Sequence, residues 1–191
     1  MFAHDTQVAL QAVVGLVNAS PDPPFHGGSH GGARLGTPAD LDAFLDEHRF
    51  TGPRVGTGAE LGEVLRLREQ LIDLWQLAAQ AADEAAVRVV NGMLRSGRAL
   101  PQLVRHDDLD WHIHATPLEA PLPQRMAAEA AMALVDVIRM GGLQRLRRCA
   151  GADCSAVFVD FSRNGRRRFC DDSGCANRAH AAAYRARRRS G

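Results

Sequence analysis

The chain reads as mainly α: a helical N-terminal body with one small β-hairpin, followed by a C-terminal zinc module built as a knuckle, a β-hairpin, a second knuckle and a helix. Three observations predict this. Apolar residues recur at helical spacing in five segments of the first 142 residues. Only one stretch of that region, around Leu100 to Thr116, changes to strand-like alternation. All four cysteines fall in the last 43 residues, in two close pairs. The division expected is residues 1–142 for the body and 143–191 for the metal module.

In the first segment, Thr6 to Ala19, the residues Val8, Ala12, Val13, Leu16 and Val17 form one helix face. Pro21 to Gly32 is a loop by composition. Thr37-Pro38 starts the next helix with a hydroxyl cap and a first-turn proline, and Leu41, Phe44 and Leu45 form its apolar face. A longer helix spans about Thr57 to Ala81, with Leu61, Val64, Leu65, Leu71, Leu74 and Trp75 on one stripe. Asp83 is placed to cap a fourth helix carrying Val87, Val90, Met93 and Leu94, with Gly97 as its stop. Gln102-Leu103-Val104 and Trp111 to His114 then predict a hairpin turning at Asp107-Asp108. A fifth helix runs from about Pro123 to Met140 and ends at Gly141-Gly142. Five apolar-faced helices are enough for a core, so the body is expected to fold without the module. Trp75, Trp111 and the methionines are read as core.

Cys149-x4-Cys154 and Cys170-x4-Cys175 are two close pairs separated by 15 residues. That spacing suits Zn²⁺, which takes four soft ligands in a tetrahedron at about 2.3 Å for thiolate sulfur. Disulfides and free buried thiols compete with this reading, but the N-terminus has no basic region and no apolar core of a signal peptide. No segment is long and apolar enough to span a bilayer, so a cytoplasmic location is expected. After the first knuckle, Ala156 to Val159 is expected to pair across an Asn164-Gly165 turn with Arg166 to Cys170. A basic helix follows from Asn177 to Arg189.

Net charge is +1 for the chain but strongly segregated. Residues 145–191 hold 12 Arg and 4 Asp, a net +8, while the preceding 144 residues hold 11 Arg and 18 acidic side chains, a net −7. A tail of that kind is built for a polyanion. The candidate phosphate contacts are Arg163, Arg166, Arg167, Arg168, Arg178, Arg185, Arg187, Arg188 and Arg189. Asn177 and Arg178 have the chemistry to read adenine and guanine edges. Asn177 is equally suited to cap the helix or bond a knuckle amide, which is the favoured role, and Arg178 to pair with Asp160. Phe158, Phe161 and Phe169 are expected to form the module's small core rather than a stacking platform for single strands.

Together, Cys149-x4-Cys154, the run Phe158 to Asn164, Arg167-Arg168-Phe169-Cys170 and Cys175-Ala176-Asn177-Arg178 resemble the CGNR zinc-finger family of bacterial proteins over about residues 147–189. Leu16-Val17-Asn18 and Leu65 to Glu69 resemble the ABATE domain that precedes that finger. The resemblance implies a stress-related transcription regulator that binds DNA. Ala176 stands where the family has glycine, and Phe169 where tryptophan is common. Alanine suits a helix start, so the fold is expected to survive the change.

The remaining titratable groups give weaker signals. His26 and His30 lie among glycines that oppose a helical ligand pair. His112 and His114 share one strand face, which allows a ligand pair, although hairpin histidines are ordinarily plain surface. His180 is not needed by a site that four cysteines already close. No nucleophile elbow, phosphate loop or HExxH is present, and an enzyme would need a pocket elsewhere, for instance around His4, Asp5 and Asn18. No enzyme is therefore expected. The body is left to bind a small effector, a protein partner or a second copy of the chain as a homodimer. The competing reading is a protein-interaction module in which zinc is purely structural.

Overall fold

The computed structural model describes residues 2–19, 34–105, 111–152, 154–170 and 174–189. The loop with His26 and His30, and the turn at Asp107-Asp108, lie outside them. The helices are α1 (His4–Asn18), α2 (Pro38–Glu47), α3 (Gly58–Ala79), α4 (Asp83–Ser96), α5 (Leu122–Arg139) and α6 (Cys175–Arg189). Strands β1 (Gln102–Val104) and β2 (His112–His114) pair antiparallel, as do β3 (Leu146–Arg148) and β4 (Val157–Val159).

Local chemistry sets most of the boundaries. The Thr37 hydroxyl accepts from Asp40 N–H while the Asp40 carboxylate accepts from Thr37 N–H, a reciprocal capping box at the start of α2. Burial alone would raise the Asp40 carboxyl, yet its bond with Thr37, the largest influence, holds it below its usual range. Thr57 caps α3 by accepting from Glu60 N–H, while the Glu60 carboxylate accepts from Val55 and Gly56 N–H. Asp83 does not cap α4: Ala82 occupies the cap without a side-chain bond, and Asp83 sits in the first turn, where a carboxylate suits the helix dipole. Gly97 ends α4 in an ordinary right-handed conformation, and Arg98 takes the positive φ of 48° instead. The glycine serves packing, because a Cβ there would lie 2.9 Å from Ala128 N in α5.

Helix α5 packs against α1, α3 and α4, and Leu10, Val64, Leu71, Leu74, Trp75 and Leu134 are wholly or almost wholly buried between them. Leu10 takes the core place expected of Val8, which is exposed. Trp111 and Met140 are exposed as well, against expectation; the short hairpin carries Trp111 away from the bundle, and Arg105 lies over its ring at 5.1 Å. Two arginines are buried because backbone carbonyls meet their guanidinium forks. Arg68 donates to Ala19 O at 2.7 Å and to Val17 O at the end of α1. Arg125 donates to the carbonyls of Thr51, Pro53 and Ala120, fastening the segment before α3 to α5.

The pairing around the first knuckle differs from the sequence expectation. β4 pairs with β3, in the register Leu146↔Val159 and Arg148↔Val157, and not with Arg166–Cys170, which has no strand structure. The reason is burial. Leu146, Val157 and Val159 insert into the core of the helical body, and β3 supplies Leu146 to that core opposite Val159, a contribution that the Arg166-Arg167-Arg168 run cannot make. Phe161 likewise packs on the body, edge-on to Phe2 at 6.2 Å, rather than joining Phe158 and Phe169 beside the cysteines. Asn18 closes the seam: its Nδ2 donates to Val157 O at 3.0 Å and its Oδ1 accepts from Val157 N–H at 2.9 Å. A side-chain amide thus takes the place of a neighbouring strand.

The boundary expected at 142/143 therefore falls just before four core side chains: Leu143, Leu146, Val157 and Val159. At about 1.5–3 kcal/mol for each fully buried Leu or Val, they contribute roughly 6–12 kcal/mol, as much as the whole stability of a small domain at about 5–15 kcal/mol. A fragment of residues 1–142 is expected to lose its cooperative thermal transition; a sharp transition followed by circular dichroism would contradict this. Within the full chain, Asn18→Ala leaves both polar groups of Val157 unpaired and should cost about 2–4 kcal/mol, read as a lower urea midpoint at unchanged slope.

Candidate metal centre and nucleic-acid interface

Cys149 follows β3 directly, and its N–H bonds Ala156 O at 2.8 Å, extending the ribbon by one pair. The chain then turns tightly through Gly151 to Cys154, whose N–H meets Gly151 O. Ala150 N–H bonds Arg168 O at 2.8 Å, drawing the second knuckle onto the first. Cys170 ends that segment and Cys175 opens α6. All four sulfurs lie within 4.8 Å of one another, and Cys154 Sγ is 3.8 Å from Cys170 Sγ. Tetrahedral thiolates about 2.3 Å from one ion stand about 3.8 Å apart, whereas a disulfide needs about 2.05 Å. All four cysteines are free, which sets the disulfide reading aside.

The surroundings favour thiolates. Gly151 N–H and Cys170 N–H both point at Cys149 Sγ at 3.4 Å. Burial alone would raise that thiol, but these two N–H groups outweigh it and bring Cys149 down to about 7. Burial, added to by the neighbouring sulfurs, drives Cys154 upward, so the set gives up its protons unevenly unless a cation balances them. Arg178 Nη2 lies 3.1 Å from Cys175 Sγ, supplying positive charge beside the cluster, while Asp160, its alternative partner by sequence, is engaged by Ser162 and Arg167. Cys149, Cys170 and Cys175 are buried, with Phe158 and Phe169 packed against them. Four protein sulfurs would fill a tetrahedron around one ion and leave no position for water, the ligand set of a structural site. His180 is exposed and outside the cluster.

Gly151 does not stand out in the cysteine spacing, yet it is decisive. A Cβ there would lie 2.9 Å from Cys175 Sγ and 3.2 Å from Cys154 Cβ. Glycine between two ligands of a short knuckle is the signal that could have found it. Asp160 is the second unrecognised organiser. It is fully buried and accepts from Ser162 N–H at 2.9 Å, from the Ser162 hydroxyl, and from Arg167 N–H at 2.8 Å. Burial would raise its carboxyl, but those bonds and the Arg147 guanidinium hold it below the usual range. An Asp two residues before a Ser in a Gly-containing loop is the sequence trace of such a turn.

The basic residues divide into two groups. Arg145 donates to the carbonyls of Asp160 and Ser162, each at 2.8 Å. Arg147 donates to those of Gln144, Gly165 and Arg167. Arg167 bonds Phe169 O through Nε and stacks on Phe158 at 4.8 Å. These three hold the 160–168 loop in shape. Arg163, Arg166 and Arg168 are exposed on that loop, and Arg178, Arg185, Arg187, Arg188, Arg189 and Asn177 are exposed on α6. Among the described residues, Arg163, Arg166, Arg185, Arg187, Arg188 and Arg189 make no ion pair. Arg148, also exposed, joins them from the edge of β3. Arg178, Arg185 and Arg189 recur on one side of α6 by helical spacing.

Gly151→Ala should lower the metal content of purified protein well below one ion per chain, because the methyl group displaces Cys175 Sγ or Cys154. Full metal loading of that variant by elemental analysis would show that the knuckle adapts.

Two family models match the chain. The ABATE model, described as "Putative stress-induced transcription regulator", covers residues 10–141. The CGNR zinc finger model covers residues 145–188. No match to a curated protein was found. Most of the helical body falls in the first match, and the four cysteines with the arginine loop fall in the second. The chain therefore belongs to the ABATE family and carries a CGNR zinc finger after its helical body.

Proposed function

We propose that the protein is a bacterial, cytoplasmic transcription regulator that holds one Zn²⁺ at Cys149, Cys154, Cys170 and Cys175 and grips duplex DNA with the arginines around it. The observation that carries this reading is the pairing of an ordered arginine loop with an arginine helix, both fastened at one four-thiolate cluster. Guanidinium forks pair bidentately with phosphate, and phosphate neutralisation supplies most sequence-independent affinity. Arg163, Arg166, Arg168, Arg185, Arg187, Arg188 and Arg189 are the phosphate contacts in this reading, and Arg167 shapes the loop that presents three of them. Arg178, beside Cys175, orients the start of α6 more than it reads a base; Asn177 remains the exposed candidate for an adenine edge.

The helical body, with its net negative charge, is the effector or partner domain, and no part of the reading requires enzymatic chemistry. One observation favours the competing interaction-module reading for the metal alone. The ribbon that leads into the cysteines is packed in the body's core, so zinc also staples the C-terminal segment to the body. An exposed arginine surface of this extent has no role in a pure staple, which is why DNA binding is the stronger conclusion.

The test is a salt titration of duplex binding with zinc fully loaded. About five phosphates neutralised give a log–log slope of roughly −4 to −5. Replacing Arg163, Arg166 and Arg168 together by Ala should flatten it by about 0.9 for each phosphate left without its arginine, and weaken all sequences alike. No duplex binding at low salt would leave the structural-zinc interaction module as the function.

A further inference from the structure

The β1–β2 hairpin carries a pair of groups that nothing in the DNA reading uses. His112 and His114 stand two residues apart on β2, so the strand places both rings on one face. Gln102 and Val104 of β1 lie opposite them in register, while Leu103 and Ile113 occupy the other face. The two Nε2 atoms are 3.1 Å apart. The ring centroids are 4.9 Å apart with planes inclined at 59°, so the rings are not stacked but turned to bring their Nε2 edges together.

We propose that His112 and His114 form a second metal site, a chelating imidazole pair for a divalent late first-row transition ion. Two imidazole nitrogens bound to one ion at about 2.0–2.1 Å, at square-planar or tetrahedral angles, lie about 2.9–3.4 Å apart, and the observed separation falls within that range. At that separation the two Nε2 atoms must share a proton or a metal ion, because two facing lone pairs would repel each other. The ordered strand fixes the two Cβ positions in advance, so chelation orders little beyond the rings. Both residues are half-buried on the strand. Imidazole nitrogen favours Cu²⁺, Ni²⁺ and Zn²⁺, whereas the four thiolates of the cysteine centre form a closed, softer set. The two sites therefore differ in ligand class.

The experiment uses the full chain with zinc loaded at the cysteines and Ni²⁺ as the probe, followed by calorimetry, by imidazole proton resonances and by zinc analysis. One further equivalent of Ni²⁺ should bind, broadening the His112 and His114 resonances before any others while the bound zinc is retained. His112→Ala and His114→Ala should each weaken that equivalent by at least about tenfold, no less than the loss of an outer-sphere partner typically does. The double variant should abolish it with helical content unchanged, and His180→Ala should leave it intact. Absence of the second equivalent would mean that the pair is only a hydrogen bond between a donor and an acceptor tautomer. An equivalent that survives in the double variant, or disappears in His180→Ala, would place Ni²⁺ elsewhere. Either result overturns the proposal.

Discussion

The C-terminal quarter of the protein depends on a two-stranded ribbon that could not stand by itself. Two short strands in water are marginal at best, and β3 and β4 hold three residues each. The ribbon is stable here because it is gripped from two directions. On one side Leu146, Val157 and Val159 sink into the helical core, and the Asn18 amide satisfies the open backbone of Val157. At the other end the chain passes directly into Cys149 and returns from Cys154, so that a metal would clamp the strand ends. The body and the thiolate cluster thus share one structural element.

This arrangement explains the two uses of arginine in the module. A loop such as 160–168 has carbonyl groups without strand or helix partners, and such groups must be met. Arg145 and Arg147 meet five carbonyls in and beside it from the ribbon, and the buried Asp160 carboxylate meets the loop's N–H groups from within. The remaining guanidinium groups are then presented from a fixed backbone. Order in the loop comes from buried charge, and the exposed charge inherits that order.

Much of this was legible in the sequence, and the exceptions have physical reasons. The helices of the body announced themselves by apolar periodicity and by Thr37 and Thr57 at their starts, and the cysteine spacing pointed to a single cluster. The hairpin of β1 and β2 was readable from its alternation. The partner of β4 was not, because three residues are too few for a pattern, and the Arg166–Cys170 segment mimics a returning strand in one dimension. Only the burial of Leu146 against the helices distinguishes the two pairings. Nor can sequence separate Arg145 and Arg147 from Arg166 and Arg168. All four are the same residue type in two short basic runs, and their roles diverge according to which carbonyls the fold brings near. Gly151 and Asn18 act through Cys175 and Val157, at places that no local pattern records.

The Asn18 seam joins residues 139 positions apart. During synthesis α1 leaves the ribosome well before the strand that Asn18 must grip. Until then α1 presents an uncovered apolar edge, and the nascent body waits as an incomplete bundle. Long-range closures of this kind are slow, so the seam is a late step of maturation. The cysteines lie on either side of β4 and beyond it, so the residues that complete the core and those of the thiolate cluster are made close together. A chain cut short before β4 lacks both, which leaves it recognisable to the cell's proteases as unfinished.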